Sequence, residues 1–207
     1  MERLKITLKF VDRDIKFYDL KTSKIVEKPE KQYIRDICYD NFVSLYDSMK
    51  ERFGISLIFT DMFRTQKEQR DIYIDRLKNP YKGVAGSPCM SLHLYGQAFD
   101  ISSTNLIMGI VGFRSYAINK KFYPIQSEWW HFQYLSNPSG SAYDEIVELA
   151  KPFLPLTGEE IKEHLELAGY TDIKDFQRDM GLVVDGIAGQ KTQIKLVLYN
   201  TEYIFVK

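Results

Sequence analysis

Cysteine is scarce in this chain: Cys38 and Cys89 are the only two in 207 residues. Two cysteines make no disulfide framework. Both read as reduced, packed thiols, which fits synthesis in a reducing compartment. Net charge is also absent, because 28 Lys and Arg balance 28 Asp and Glu. With that balance nothing points to nucleic acid or an anionic membrane as the main partner. No apolar run is long enough to span a bilayer. The N-terminus, Met1-Glu2-Arg3-Leu4-Lys5-Ile6-Thr7, lacks the apolar core of a secretory signal. The expectation is a protein made in the cytoplasm without a signal peptide and without membrane insertion.

Histidine is also scarce: the chain has three. Two of them fall in short clusters with carboxylates. The first is Ser91-Leu92-His93-Leu94-Tyr95-Gly96-Gln97-Ala98-Phe99-Asp100, and the second is Glu128-Trp129-Trp130-His131. Two imidazoles and two carboxylates are the inventory of a catalytic zinc site, with three protein ligands, one open position and a nearby base. His93, Asp100 and His131 are the candidate ligands for one Zn2+ ion. Gly96 and Ala98 are small enough for the backbone between the first two to turn tightly. Residues 97–101 alternate like a strand, with Ala98 and Asp100 on one face and Phe99 and Ile101 on the other. Residues 129–134 are rich in strand formers. Glu128 and His131 are three apart and face opposite sides of a regular strand, so a bend or bulge is expected at Glu128. In that arrangement Glu128 is the base for the attacking water. Arg64 follows the apolar run 55–59 and is the candidate cation for a developing oxyanion. Cys89 offers a further thiolate in principle, although a buried thiol is the simpler reading.

The pattern Ser-x-His-x-x-Gly-x-Ala-x-Asp followed by Glu-x-Trp-His resembles the zinc peptidases of the D-alanyl-D-alanine carboxypeptidase and dipeptidase family. That family includes phage endolysins that cut between L-alanine and D-glutamate in peptidoglycan stems. Ser91, His93, Gly96, Ala98, Asp100, Glu128, Trp130 and His131 match, and Phe63-Arg64-Thr65 with Gln69 looks like the preceding signature. The resemblance covers roughly residues 33–135. It implies an α+β fold of the hedgehog/D-Ala-D-Ala-peptidase type, a small antiparallel sheet with flanking helices. It also implies zinc on His93, Asp100 and His131, catalysis by Glu128 and Arg64, and substrate contacts from Ser91, Gln69 and Trp130.

Pro152 and Pro155 mark a linker over 151–157, which separates a peptidase domain at 1–150 from a helical unit at 158–207. Capping boxes are read at Thr65/Glu68 and Thr157/Glu160. Residues 4–26 alternate apolar and charged, with an interruption at Asp12-Arg13-Asp14 that predicts a hairpin. A helix is read over 104–118 and a loop over 79–90. His164 is assigned to the surface of the second unit. Phe176-Gln177, Gly181-Leu182, Asp185-Gly186, Gly189 and Thr192 resemble the three-helix peptidoglycan-binding domain.

Peptidoglycan is therefore the expected partner and a monomer the expected state. The layout favours an endolysin-type L-alanyl-D-glutamate endopeptidase, released to the wall by a separate holin. A D-alanyl-D-alanine carboxypeptidase or dipeptidase is the alternative, and a non-catalytic wall-binding module the second alternative.

Overall fold

Sixteen regular elements follow one another along the computed structural model, which describes residues 2–82, 85–102 and 110–207. By packing they fall into two compact units. One comprises Thr7–Arg64, Tyr95–Ser141 and Ile204–Lys207; the other comprises Met1–Ile6, Thr65–Leu94 and Ala142–Tyr203. Packing thus interleaves segments that are far apart in sequence, and each unit is taken in turn.

The first unit is built on a six-stranded sheet. Its strands are β2 (Lys16–Asp19), β3 (Lys24–Val26), β5 (Ile58–Asp61), β6 (Ala98–Ile101), β7 (Phe122–Ile125) and β8 (Glu128–Tyr134), with β1 (Lys5–Phe10) and β4 (Tyr33–Arg35) apart from it. The spatial order is β3-β2-β5-β6-β8-β7. Neighbours are antiparallel, except that β2 runs parallel to β5.

Helix α1 (Asp36–Phe53) covers one face of this sheet. It buries Cys38, Phe42, Leu45, Tyr46 and Met49, a spacing that repeats every three to four residues as a one-sided helix requires. It stops at Gly54, whose φ of 64° is the left-handed conformation that glycine adopts at little cost. Between helix and sheet lies an aromatic core of Phe17, Phe42, Phe59, Phe99, Phe122 and Phe132, each at most 1% exposed. Helix α3 (Ile110–Asn119) adds Phe113 and Ala117 to it. Residues 104–109 of the predicted helix lie outside the described residues.

The hairpin expected over residues 4–26 is not formed as one unit. β1 pairs with β4, whereas β2 pairs with β3 and with β5. After β1 the Val11 N–H donates to the Gln32 carbonyl at 2.8 Å, and both Val11 and Ile15 are buried. Burying the ends of the connection directs the chain into a different sheet. Period-two alternation shows that a segment is a strand, but not which strand it joins.

Gly96 leaves no room for a side chain. Its φ is +62°, and a Cβ there would lie 2.6 Å from Leu8 Cδ2 and 2.8 Å from the Arg35 nitrogen. The same nitrogen donates to the Gly96 carbonyl at 2.9 Å, so neither backbone can retreat without loss. Gly96→Ala is expected to destabilise the fold by about 1–3 kcal/mol, from left-handed strain and overpacking together. Denaturant midpoints of the two proteins check this.

The second unit gathers α2 (Gln66–Lys78), α4 (Ala142–Ala150), α5 (Gly158–Leu167), α6 (Ile173–Asp179) and α7 (Gln190–Tyr199). The capping boxes at Thr65/Glu68 and Thr157/Glu160 are both present, each with the hydroxyl accepting from the third backbone N–H. Arg70 reaches Asp179 at 2.6 Å, and Tyr170 donates to the same Asp179 oxygen at 2.9 Å.

His164 is not on the surface: it is 1% exposed, with Nδ1 3.0 Å from the Asn200 amide nitrogen. It lies one helical turn beyond Ile161, on the apolar face of α5, and burial lowers its pKa from the ordinary histidine value. Cys89 is likewise buried, 3.8 Å from the Lys195 carbonyl, and burial pushes its thiol up to about 12. A further strand, β9 (Glu202–Val206), ends the chain.

Candidate metal centre

Two neighbouring strands and one short turn carry the ligand candidates. β6 and β8 are antiparallel with Asp100 directly opposite His131. Facing positions on one side of a strand pair bring side chains within reach, and His131 Nδ1 lies 2.8 Å from Asp100 Oδ1. His93 sits on the 3-10 turn Leu92–Tyr95, a few residues before β6 on the same continuous stretch of chain. One donor atom from each of His93, Asp100 and His131 lies within 4.8 Å of the other two. His93 is 2% and His131 8% exposed, and the Asp100 side chain 15%.

Two imidazole nitrogens and one carboxylate oxygen are the donor set of a site that keeps a position open. Tetrahedral zinc bonds of about 2.0–2.1 Å require donors roughly 3.4 Å apart, so only small movements would separate these three from ideal coordination. The residues therefore fit a metal ion.

Glu128 opens β8, outside this three-residue cluster. The β7/β8 register is irregular beside it: Pro124 faces Phe132, while the next residue, Ile125, faces Glu128. One step along β7 thus spans the whole Glu128–Phe132 segment. Trp129 and Trp130 lie in this segment with rings edge to face, 5.6 Å apart, and Trp130 is 36% exposed.

Arg64 lies just after β5 at the corner before α2, as its place ahead of the Thr65 cap suggested. Its Nη2 is 3.9 Å from Asp100 Oδ2, and its Nε and Nη2 donate to Asp61 Oδ2 at 2.9 and 2.7 Å. Asp61 was not singled out from sequence. The signal available was a carboxylate three residues ahead of the arginine. Ser91 and Gln69 lie, like His93, in the segment Thr65–Leu94. There the Gln69 amide donates to the Gly86 carbonyl at 2.6 Å and the Ser91 carbonyl accepts from Leu94 N–H at 3.1 Å. Gln69 is fully buried.

The class is thus an α+β fold with antiparallel sheets flanked by helices and a His/Asp/His triad capable of coordinating a metal ion, followed by a helical C-terminal module. Residues 170–196 of that module match the family of peptidoglycan-binding domains. No curated protein matches the chain.

Among solved structures, the chain is similar to the LdcB LD-carboxypeptidase, described in terms of peptidoglycan recognition. Identity is 23% and the TM-score 0.47, covering 60% of this chain and 66% of that one, just under two thirds of its length. It is also similar to the vancomycin-resistance D,D-pentapeptidase VanY in complex with Zn(II). There identity is 16% and the TM-score 0.41, covering 59% of this chain and 80% of that one. Among the described residues, no helix is long and apolar enough to cross a membrane.

Proposed function

We propose that this protein is a zinc-dependent peptidase that hydrolyses peptide bonds in the stem peptides of peptidoglycan and acts at the cell wall. The observation that carries the proposal is the convergence of His93, Asp100 and His131 on one point. The matched peptidoglycan-binding segment supports the choice of polymer, since a tethered enzyme gains effective concentration at its bonds.

Zinc, when bound, supplies Lewis acidity at the scissile carbonyl. The remaining work falls to side chains of this chain. His93, Asp100 and His131 would hold the ion between them, with Asp100 and His131 facing each other across β6 and β8. Glu128 accepts the proton of the attacking water and returns it to the leaving amine. Arg64 supplies positive charge beside the metal ligands, where it meets either a developing oxyanion or a substrate carboxylate.

The position of Arg64 bears on which bond is cut. A peptidase that removes a C-terminal residue works one residue away from a free carboxylate. A guanidinium 12% exposed and 3.9 Å from Asp100 suits that charge. Removal of terminal D-alanine is therefore the favoured reading, and cleavage between L-alanine and D-glutamate is the second, resting on the two-part layout of the sequence.

Mass spectrometry of peptidoglycan fragments, digested with and without a chelator, tests both. The expected result is metal-dependent loss of terminal D-alanine. Metal-dependent release of stem peptides beginning at D-glutamate would move the assignment to the endopeptidase. A zinc-loaded, folded protein that yields neither product would show the peptidase reading to be wrong.

A further inference from the structure

We propose that Asp61, braced by Lys31, is a positioning residue that fixes the Arg64 guanidinium beside the metal ligands and thereby sets recognition of the substrate's carboxylate. The inference rests on the peptidase reading above and deepens it.

The strand register creates the need. β5 and β6 are antiparallel, and Asp61 stands directly opposite Asp100, after a register irregularity between Phe59 and Asp61. Like charges directly opposite each other destabilise a strand pair. Arg64 relieves this by lying against both. Its Nε and Nη2 donate to Asp61 Oδ2 at 2.9 and 2.7 Å, while Nη2 is 3.9 Å from Asp100 Oδ2. On the far side, Lys31 Nζ is 3.5 Å from Asp61 Oδ1, and the Met62 N–H donates to the same oxygen at 3.0 Å.

Lys31, Asp61, Arg64 and Asp100 thus form a row of alternating sign that ends at the metal ligands, with the His131 imidazole next in line. The five side chains are 13%, 17%, 12%, 15% and 10% exposed. Charges this well covered are screened much less by salt than surface pairs.

The geometry gives Asp61 a specific task. An arginine on a flexible stem next to Asp100 would close on that carboxylate and compete with the metal for it. Two charge-assisted hydrogen bonds to a single Asp61 oxygen hold it back at 3.9 Å. Lys31 and the Met62 N–H hold the other Asp61 oxygen, so the carboxylate plane itself is fixed. The guanidinium then meets an incoming carboxylate without reorganising, which is where preorganised charge gains its value. Asp61 touches neither substrate nor metal in this account and acts through Arg64 alone.

The test uses the zinc-loaded full chain and two soluble stem pentapeptides, one with a free C-terminal carboxylate and one with a C-terminal amide. kcat, KM and zinc content are measured for the wild type, Asp61→Asn, Asp61→Glu and Lys31→Met. Asp61→Asn is expected to raise KM for the free acid by about 10–100-fold, the range that corresponds to loss of one charged hydrogen bond. KM for the amide should change little, so the preference for the acid collapses while zinc content stays at one ion. Asp61→Glu should restore part of the preference, and Lys31→Met should weaken it in the same direction as Asp61→Asn. A purely structural role for Asp61 would affect both substrates equally. An active wild type whose acid-over-amide preference survives in Asp61→Asn overturns this inference alone, and if that variant does not fold, an unchanged preference in Lys31→Met does the same. A wild type that cleaves neither peptide overturns the peptidase reading and this inference with it.

Discussion

Glu128→Gln is expected to lower turnover by about 10²–10⁴-fold while leaving zinc content and unfolding midpoint unchanged. The substitution keeps the size of the side chain and its ability to accept a hydrogen bond, but removes the site that takes a proton. On a regular strand Glu128 and His131 point to opposite faces. The β7/β8 pairing departs from regularity between Pro124 and Ile125, where Glu128 faces Ile125 and Phe132 faces Pro124. That departure frees the segment from strict alternation, so the acid and the imidazole need not be divided by the sheet. Bulges near sites re-aim side chains in this way. Single-turnover kinetics on a stem peptide, with zinc measured in the same samples, separate a lost base from a lost metal. Activity retained within a fewfold would place the base elsewhere.

The parts of this structure legible in the sequence are those whose cause is local. Thr65/Glu68 and Thr157/Glu160 are capping boxes because residues three apart at a helix start face each other, and both form. Gly54 ends α1 for an equally local reason. The spacing of His93, Asp100 and His131 in the sequence points to a cluster, and their donor atoms converge.

What was not legible depends on partners distant in sequence. Nothing in residues 4–26 says that β1 pairs with β4 while β2 pairs with β3 and β5. The same holds for Asp61, whose importance appears only when the register sets it opposite Asp100. His164 is a different case, because its place beside Ile161 and Leu165 on one helical face was available from spacing alone. An aromatic base with two nitrogens reads as a surface residue until Asn200 is seen to meet it. Buried imidazoles are stable when each polar atom is satisfied, and sequence spacing does not reveal the satisfying group.

The second large effect is expected in the core directly behind the metal ligands. Phe99 lies between Ala98 and Asp100 on β6, so strand alternation sends its ring to the face away from the carboxylate. It is fully buried and meets four other rings, with centroid distances of 5.4 Å to Phe42, 5.6 Å to Phe59, 5.1 Å to Phe122 and 5.5 Å to Phe132. Those partners come from α1, β5, β7 and β8, so one side chain joins the helix to most of the sheet. Phe99→Ala is expected to cost about 3–5 kcal/mol, from lost transfer free energy and from a cavity that rings on four different elements cannot all close. Such a loss is a large fraction of the stability of a typical domain. Phe99→Leu should cost much less, because it leaves a smaller void. Equilibrium unfolding in denaturant measures both, with zinc added in parallel samples. Because the metal binds the folded state alone, saturating zinc should recover part of the loss in Phe99→Ala. It should recover none in a Phe99→Ala, His131→Ala double variant, where the ligand set is broken. Equal recovery in the two would mean that zinc stabilises the protein somewhere other than the triad. A Phe99→Ala protein as stable as the wild type would mean that the aromatic cluster does not hold β6, and with it Asp100, in place.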